Sequence, residues 1–396
     1  MSVRDLLITT HTPALGSGRS MRTYGIARAL AKHGGLDLLY VRFDGPRPDA
    51  SFESIPGIAL HKVVPSRGAR RLAAYAGARL AHVPPAFARG VSQELTRRST
   101  RLAAIPDRGR VIADGPIAAA ALGNLARERP VIYNAHNFES GFRHELTGDG
   151  VGGLRGLRSF ERRLLVRAAE SWMVSEADMR AARELCPGAK LRLAPNVVDV
   201  ATIEPVSTVA PVRRAIFVAN FAYEPNRGGL RFLLDEVLTR VWQQLPDARL
   251  TLVGAGLERP PSDDPRVETL GFVDDLASAY ASSRCAVVPL LQGGGSPLKL
   301  IEALAYGLPT IATSRAVAGL DNVSDGEHLL VADGGEAFAQ AIVTVLGDGA
   351  PQLGRAGRRL AQERYSIEAL GALLAPARIA SSLTDNVEPA DTSFPV

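Results

Sequence analysis

Lysine is nearly absent from this 396-residue chain. Only Lys32, Lys62, Lys190 and Lys299 occur among its 46 basic residues, which leaves almost all of the positive charge to arginine. Cysteine is scarcer still. Cys186 and Cys285 lie far apart and show no metal-ligand spacing, which excludes a disulfide framework and a thiolate zinc site. Both read as small core residues of a cytosolic protein. Long apolar runs are missing too: nothing approaches the roughly 20 residues needed to span a bilayer. The N-terminal MSVRDLLITTH has a short apolar run without the length or cleavage site of a signal peptide. A cytoplasmic protein is expected.

What is present suits a soluble globular protein. Hydrophobic residues make up 46% and charged residues 22%, ordinary values for a soluble chain. The length exceeds one ordinary core and predicts two domains. The net charge of +5 is concentrated locally. Arg67, Arg70, Arg71, Arg79, Arg89, Arg97, Arg98, Arg101, Arg108 and Arg110 face only Glu94 and Asp107 in their window, and Arg155, Arg158, Arg162, Arg163 and Arg167 form a second cluster at helical spacing. Such windows are either a solvated face of an arginine-biased protein or an attraction for anionic partners. Phosphorylated acceptors and an acidic lipid surface at the inner face of the membrane are the partners they would suit. No recognisable nucleic-acid-binding module accompanies them, and nucleic acid is not expected.

Strand-like apolar runs alternate with helical patterns throughout, which predicts parallel sheets flanked by helices. The first half gives strands at Leu6–Thr10, Leu36–Val41, Val111–Ala113, Val131–Asn134 and Trp172–Ser175. The second gives Ala215–Asn220, Arg249–Gly254, Cys285–Leu290, Pro309–Thr313 and His328–Ala332. Between them, residues 196–211 are proline-rich and non-periodic, a predicted linker. The expected organisation is therefore an N-terminal Rossmann-like domain over 1–195, a C-terminal one over 212–365, a last helix near 366–380 returning to the first domain, and a disordered tail at 381–396.

The segment QGGGSPLKLIEALAYGLP (Gln292–Pro309) carries the most chemistry. A strand end leads through three glycines to a helix, with Ser296 expected as N-cap and Pro297 at the first helical position. Free amides and the helix dipole favour an anion there. Lys299 in the first turn opposes that dipole unless an anion is bound. Glu302, one turn deeper, can accept bonds from vicinal hydroxyls. The alternative is that Lys299 and Glu302 pair with each other. Neither a P-loop nor a dinucleotide fingerprint fits: the loop Leu15–Met21 has two glycines without a third, and Gly254-Ala255-Gly256 leads to no helix start.

The runs PNVVD (Pro195–Asp199), FVANFAYEPNRGGLRFL (Phe217–Leu233), RLTLVGAG (Arg249–Gly256), GFVDDL (Gly271–Leu276) and GGGSPLKLIEALAYGLPTIAT (Gly293–Thr313) resemble the retaining glycosyltransferases of family 4, in that family's order. VSEAD (Val174–Asp178) and YNAHNFES (Tyr133–Ser140) extend the likeness into the first half. The resemblance implies an α/β GT-B fold, two Rossmann-like domains facing across an interdomain cleft. It also implies transfer of a sugar from a nucleotide-diphosphate donor to an acceptor hydroxyl with retention, and neither cofactor nor catalytic metal. The rival readings are a nucleotide-sugar epimerase, a phosphorylase, or an inactive nucleotide-binding protein of the same fold.

Carried over by position, the resemblance gives Glu302 the donor ribose. It gives Lys299, with the amides around Gly294, Gly295 and Ser296, the diphosphate. Phe272 and Val273 flank the base, His136 meets the transferred sugar as a catalytic residue beside Lys299 and Glu302, and Gly16 to Gly18 form a loop toward sugar or phosphate. Two departures stand out. Gly294 occupies the place of the first glutamate of the family's pair. After the first strand of the second domain, where many relatives have an arginine and a lysine, only Arg227 supplies a charge.

Overall fold

A strand covered on both faces must be apolar along its length, and the interior strands here follow that rule. The computed structural model describes residues 3–41, 48–65, 67–141, 151–206, 210–293 and 295–375. In the first domain, β1 (Arg4–Thr9), β2 (Gly35–Val41), β3 (Ile58–Val63), β4 (Arg108–Asp114), β5 (Ile132–Asn134), β6 (Glu170–Met173) and β7 (Leu191–Leu193) form a parallel sheet in the order β3-β2-β1-β4-β5-β6-β7. In the second, β8 (Arg214–Val218), β9 (Arg249–Val253), β10 (Val267–Gly271), β11 (Cys285–Val288), β12 (Thr310–Ala312) and β13 (Leu330–Val331) run in the order β10-β9-β8-β11-β12-β13, again parallel.

Alternate residues of each strand feed opposite layers. Leu6 and Ile8 join one apolar cluster and Leu7 another. Likewise Ala215 and Phe217 pack on one side of β8 and Ile216 on the other. Both sheets are therefore doubly wound, as the sequence pattern predicts.

Each sheet has one switch point, between β1 and β4 and between β8 and β11. Loops leave those neighbouring strands in opposite directions and open a crevice at the carboxyl ends, where such sheets take ligands.

Three strands depart from the expected pattern: β3, β7 and β10. All three are edge strands, and their burial is broken by half-exposed positions. Without a second neighbour to cover them, they carry no continuous apolar run. The predicted linker is also not featureless, since a 3-10 turn spans Val200–Thr202.

Past β7 the chain crosses to the second domain, and Val198 forms a parallel bridge with Ser366 on the way back. Ser366 caps the helix Ile367–Leu374 by accepting from the Ala369 amide at 3.1 Å. Ile367, Leu370 and Leu374 then bury in the cluster that holds Leu7, Ile26 and Trp172. The remaining residues, 376–396, lie outside the described residues, as does Gly294. Among the described helices none is long and apolar enough to cross a membrane.

Candidate active site

At the second switch point, the turn after β11 leads into the helix Leu298–Ala305. Gly295 has φ +70°, and a Cβ there would come within 2.4 Å of Asn137 Oδ1. The left-handed φ favours glycine here, and the missing side chain leaves room for Asn137 of the facing domain. The helix starts one residue later than the sequence suggests. Pro297 is its N-cap, because its ψ of 110° is extended and helical geometry begins after it. Ser296 therefore caps nothing. Its carbonyl accepts from Asn196 Nδ2 at 2.7 Å, while its Oγ is buried without a hydrogen-bond partner among the described residues. A buried hydroxyl left unpaired at a helix N-terminus costs stability unless a ligand completes it.

Lys299 and Glu302 line the same cleft but do not pair with each other. Lys299 Nζ donates to Asn226 Oδ1, and Asn226 is held by donating from Nδ2 to the Asn220 carbonyl at 2.7 Å. Glu302 Oε2 accepts one long bond, 3.4 Å, from the Tyr280 hydroxyl, whose ring stacks on Tyr306. Each charged group is thus thinly solvated by protein. Burial lowers the Lys299 ammonium to about 8 and raises the Glu302 carboxyl to about 7. An anion beside the first and hydroxyl donors beside the second would restore both charges.

Phe272 and Val273 line the cleft nearby, Phe272 with 72% of its surface exposed. Arg227 does not join them. It sits in the helix Glu224–Phe232 next to buried Asn226, one residue and about 100° further round. There it makes a half-exposed ion pair with Glu224 at 2.8 Å. Pro225 and Asn226 of that helix line the cleft, and Arg227 does not.

The first domain supplies the opposite wall. Gly16, Ser17 and Gly18 lead into the helix Gly18–Ala31, which Ser17 caps by accepting from the Ser20 amide at 3.2 Å. A Cβ on Gly18 would lie 4.0 Å from Leu298, so this loop faces the start of the second-domain helix. His136 follows β5, with Nε2 2.8 Å from Asp114 Oδ1. The neighbouring Gly115 has φ +88°, and a Cβ there would stand 2.8 Å from the imidazole.

Asp114, at the end of β4, is buried and collects three side chains. Besides His136 it accepts from Asn134 Nδ2 at 2.7 Å and from Thr23 Oγ1 at 2.6 Å. Burial alone would raise its pKa, but the His136 charge and these bonds hold it below the usual carboxylate range. Arg22 extends the network by donating to Asn134 Oδ1 at 2.6 Å, the Ala194 carbonyl at 2.8 Å and Asn196 Oδ1 at 3.2 Å. Through Asn196 the chain of bonds reaches the Ser296 carbonyl. His11, whose ring lies 6.3 Å from that of His136, is pushed down to about 4, chiefly by burial, and is neutral.

Sequence reasoning overlooked Asp114, Arg22 and His11, although two of them left a trace. An aspartate ending the apolar run Val111–Ala113 and followed by glycine marks a strand end under constraint. Arg22 falls on the buried side of its helix with Ile26 and Ala29, at i, i+4 and i+7.

Both walls close on a cleft of about 670 Å³, lined by residues of both switch points, among them Gly16, His136, Ser296, Lys299 and Glu302. That volume suits a small-molecule ligand. The chain superposes on a sucrose-phosphate synthase from Thermosynechococcus elongatus with a TM-score of 0.70. That match has 18% identity and covers 93% of this chain and 96% of the other. The Anabaena protein HepE, solved in complex with UDP-glucose, matches with a TM-score of 0.63 at 14% identity, over 93% and 97% of the two chains. The fold is GT-B. Residues 212–348 match the model of the family described as glycosyl transferases group 1. The TarM protein of S. aureus, in complex with UDP among other ligands, matches with a TM-score of 0.60 at 10% identity, over 94% and 99%. No curated protein matches the sequence. Within the GT-B frame, Lys299 and Glu302 belong to the second domain and His136 to the first.

Proposed function

We propose that the protein moves a sugar from a nucleoside-diphosphate donor to an acceptor hydroxyl with retention of anomeric configuration. The observation that carries this reading is the unfinished polar wall of the second domain. Lys299, Glu302 and the Ser296 hydroxyl have too few partners for their charge and burial, and one ligand with a diphosphate and a ribose would complete all three.

In this reading Glu302 accepts the ribose hydroxyls, Lys299 and the amides around Gly295 and Ser296 hold the diphosphate, and Phe272 and Val273 flank the base. As the glycosidic bond breaks, negative charge develops on the departing diphosphate. The helix N-terminus, the Ser296 hydroxyl and Lys299 stabilise that charge without reorganising. The acceptor proton passes to the departing phosphate, so no side-chain base is required. His136 faces the sugar, oriented by Asp114. Asp114 itself is occupied by three bonds and is a positioning residue.

The test is a panel of nucleotide sugars screened by thermal shift, followed by turnover of the stabilising donor with candidate acceptors and NMR of the product anomer. Acceptor-dependent nucleotide release with retained configuration is expected. Turnover of the donor in the absence of any acceptor, or dependence on free phosphate, would replace this reading by an epimerase or a phosphorylase.

A further inference from the structure

The helix Ala69–Leu80 is turned inside out. Of its twelve residues only Ala78 is buried. Ala69, Leu72, Ala73, Ala76 and Leu80 recur at i, i+3, i+4, i+7 and i+11, the spacing of a core-facing stripe, yet all five are exposed. Leu72 is 69% and Leu80 80% accessible. Arg70 and Arg79 flank the stripe on its two sides. A helix this short and this loosely docked gains little from tertiary packing, and its apolar face points away from the domain.

The surroundings carry one sign of charge. No acidic residue occurs between Glu53 and Glu94, a span that holds Lys62, Arg67, Arg70, Arg71, Arg79 and Arg89. The helix Val151–Arg167 lies alongside, joined where Arg163 donates to the His82 carbonyl at 2.8 Å. Its outer face presents Arg155, Arg158, Arg162 and Val166, all exposed, with Val166 60% accessible. The only acid in that helix, Glu161, is buried and accepts from the Ser140 amide at 3.0 Å. Past the end of the Ala69–Leu80 helix, Ala81 and Val83 join Ala119, Ala120, Phe160 and Leu164 around a small crevice on the same side of the domain.

We propose that this face, the apolar stripe of the Ala69–Leu80 helix with the arginines of the Val151–Arg167 helix, docks on an anionic phospholipid bilayer. An apolar stripe flanked by arginines on a helix lying on the surface is the pattern of an in-plane membrane helix. The leucines enter the acyl boundary and the arginines meet lipid phosphates. The charge excess selects an anionic surface over a zwitterionic one. The same helix that brings the arginines is tied through Glu161 to the Ser140 amide, a few residues after His136. The inference stands on this surface alone and does not depend on the reaction proposed above.

Sedimentation of the full chain with phosphatidylglycerol vesicles, and with phosphatidylcholine vesicles as reference, tests it. The protein should partition onto the anionic vesicles and be released by high salt. Leu72→Ser with Leu80→Ser should lower partitioning about tenfold, and Arg158→Glu with Arg162→Glu should lower it by about fivefold or more per site. Circular dichroism and the melting temperature should be unchanged, because all four side chains are exposed. Vesicle binding that neither pair reduces, or no preference for the anionic lipid, overturns the proposal. So does self-association at rising concentration that the leucine pair abolishes, since the stripe would then belong to a second copy of this chain.

Discussion

The two walls of the cleft are built on opposite plans. On the first-domain side most polar groups are paired: Asp114 gathers His136, Asn134 and Thr23, and Arg22 donates from both terminal nitrogens to Asn134, Ala194 and Asn196, leaving its Nε without a partner among the described residues. On the second-domain side the partners run out, with one bond for Lys299, one long bond for Glu302 and none for the Ser296 hydroxyl. A densely bonded network holds its geometry before any ligand arrives. An unsaturated one stores a demand that a ligand meets. The first wall is therefore where substitutions should cost folding, and the second where they should cost binding.

The largest effect is expected at the hub. Replacing Asp114 by Ala strands His136, Thr23 and Asn134 and leaves buried Arg22 short of a counter-charge, a loss of about 3–5 kcal/mol in urea unfolding. A loss below about 1 kcal/mol would mean that the network is not holding the wall. His136→Ala touches the same wall at its edge and should spare the fold. Its expected signature is a fall in kcat of about a hundredfold with the affinity for free nucleotide nearly unchanged. Nucleotide affinity lost together with kcat would erase the division between the walls.

On the other side, Glu302→Ala should weaken nucleotide binding by about 1.5–3 kcal/mol in calorimetry while leaving unfolding stability level or raised, because an underpaired carboxyl is removed. Lys299→Ala should weaken nucleoside diphosphate far more than nucleoside, since only the former brings charge to it. Equal losses for the two ligands would take the diphosphate away from Lys299.

The smallest effect is a pH dependence, and its sign follows from the shifts. Glu302 in the free protein is raised to about 7 by burial. Ribose hydroxyls donate to the carboxylate, so binding favours the ionised form and releases a proton below that pH. Nucleoside affinity should therefore fall by up to about tenfold per unit as pH drops through 7 toward 5.5. Lys299, lowered to about 8 by burial, must be charged to meet phosphate, and nucleoside diphosphate affinity should fall above pH 8 as well. An optimum between 7 and 8 is expected for the diphosphate alone, and Glu302→Gln should flatten its acid limb. A nucleoside curve that stays level from 5.5 to 7 would release Glu302 from the ribose.

The fold class was legible because interior strands covered on both faces write themselves as apolar runs. β3, β7 and β10 were not, since an edge strand is covered by one neighbour and mixes exposed with buried positions. In the cleft, a glycine turn, a lysine and a glutamate within one helix turn are local signals, and they pointed to residues that the structure gathers around one cavity. The start of that helix was read one residue early, because a serine before a proline looks like a cap until the proline's own extended ψ is known. Arg227 and Asn226 differ by one position, and only the helix phase decides which side chain enters the cleft. The network around Asp114 draws on Thr23, Asn134, His136, Arg22 and Asn196, which are scattered along the chain and meet only after the sheet has assembled. No local spacing announces such a meeting.

The return of the chain at Ser366 has a consequence for how the molecule is made. Leu7 and Ile26 share their cluster with Ile367, Leu370 and Leu374, so the first domain is roofed by a helix that is made only after the whole second domain. Until that helix emerges, the outer side of the Gly18–Ala31 helix stays uncovered, while the second domain between them has every residue of its own sheet already in hand. Synthesis thus finishes the two halves in the reverse of the order in which it begins them.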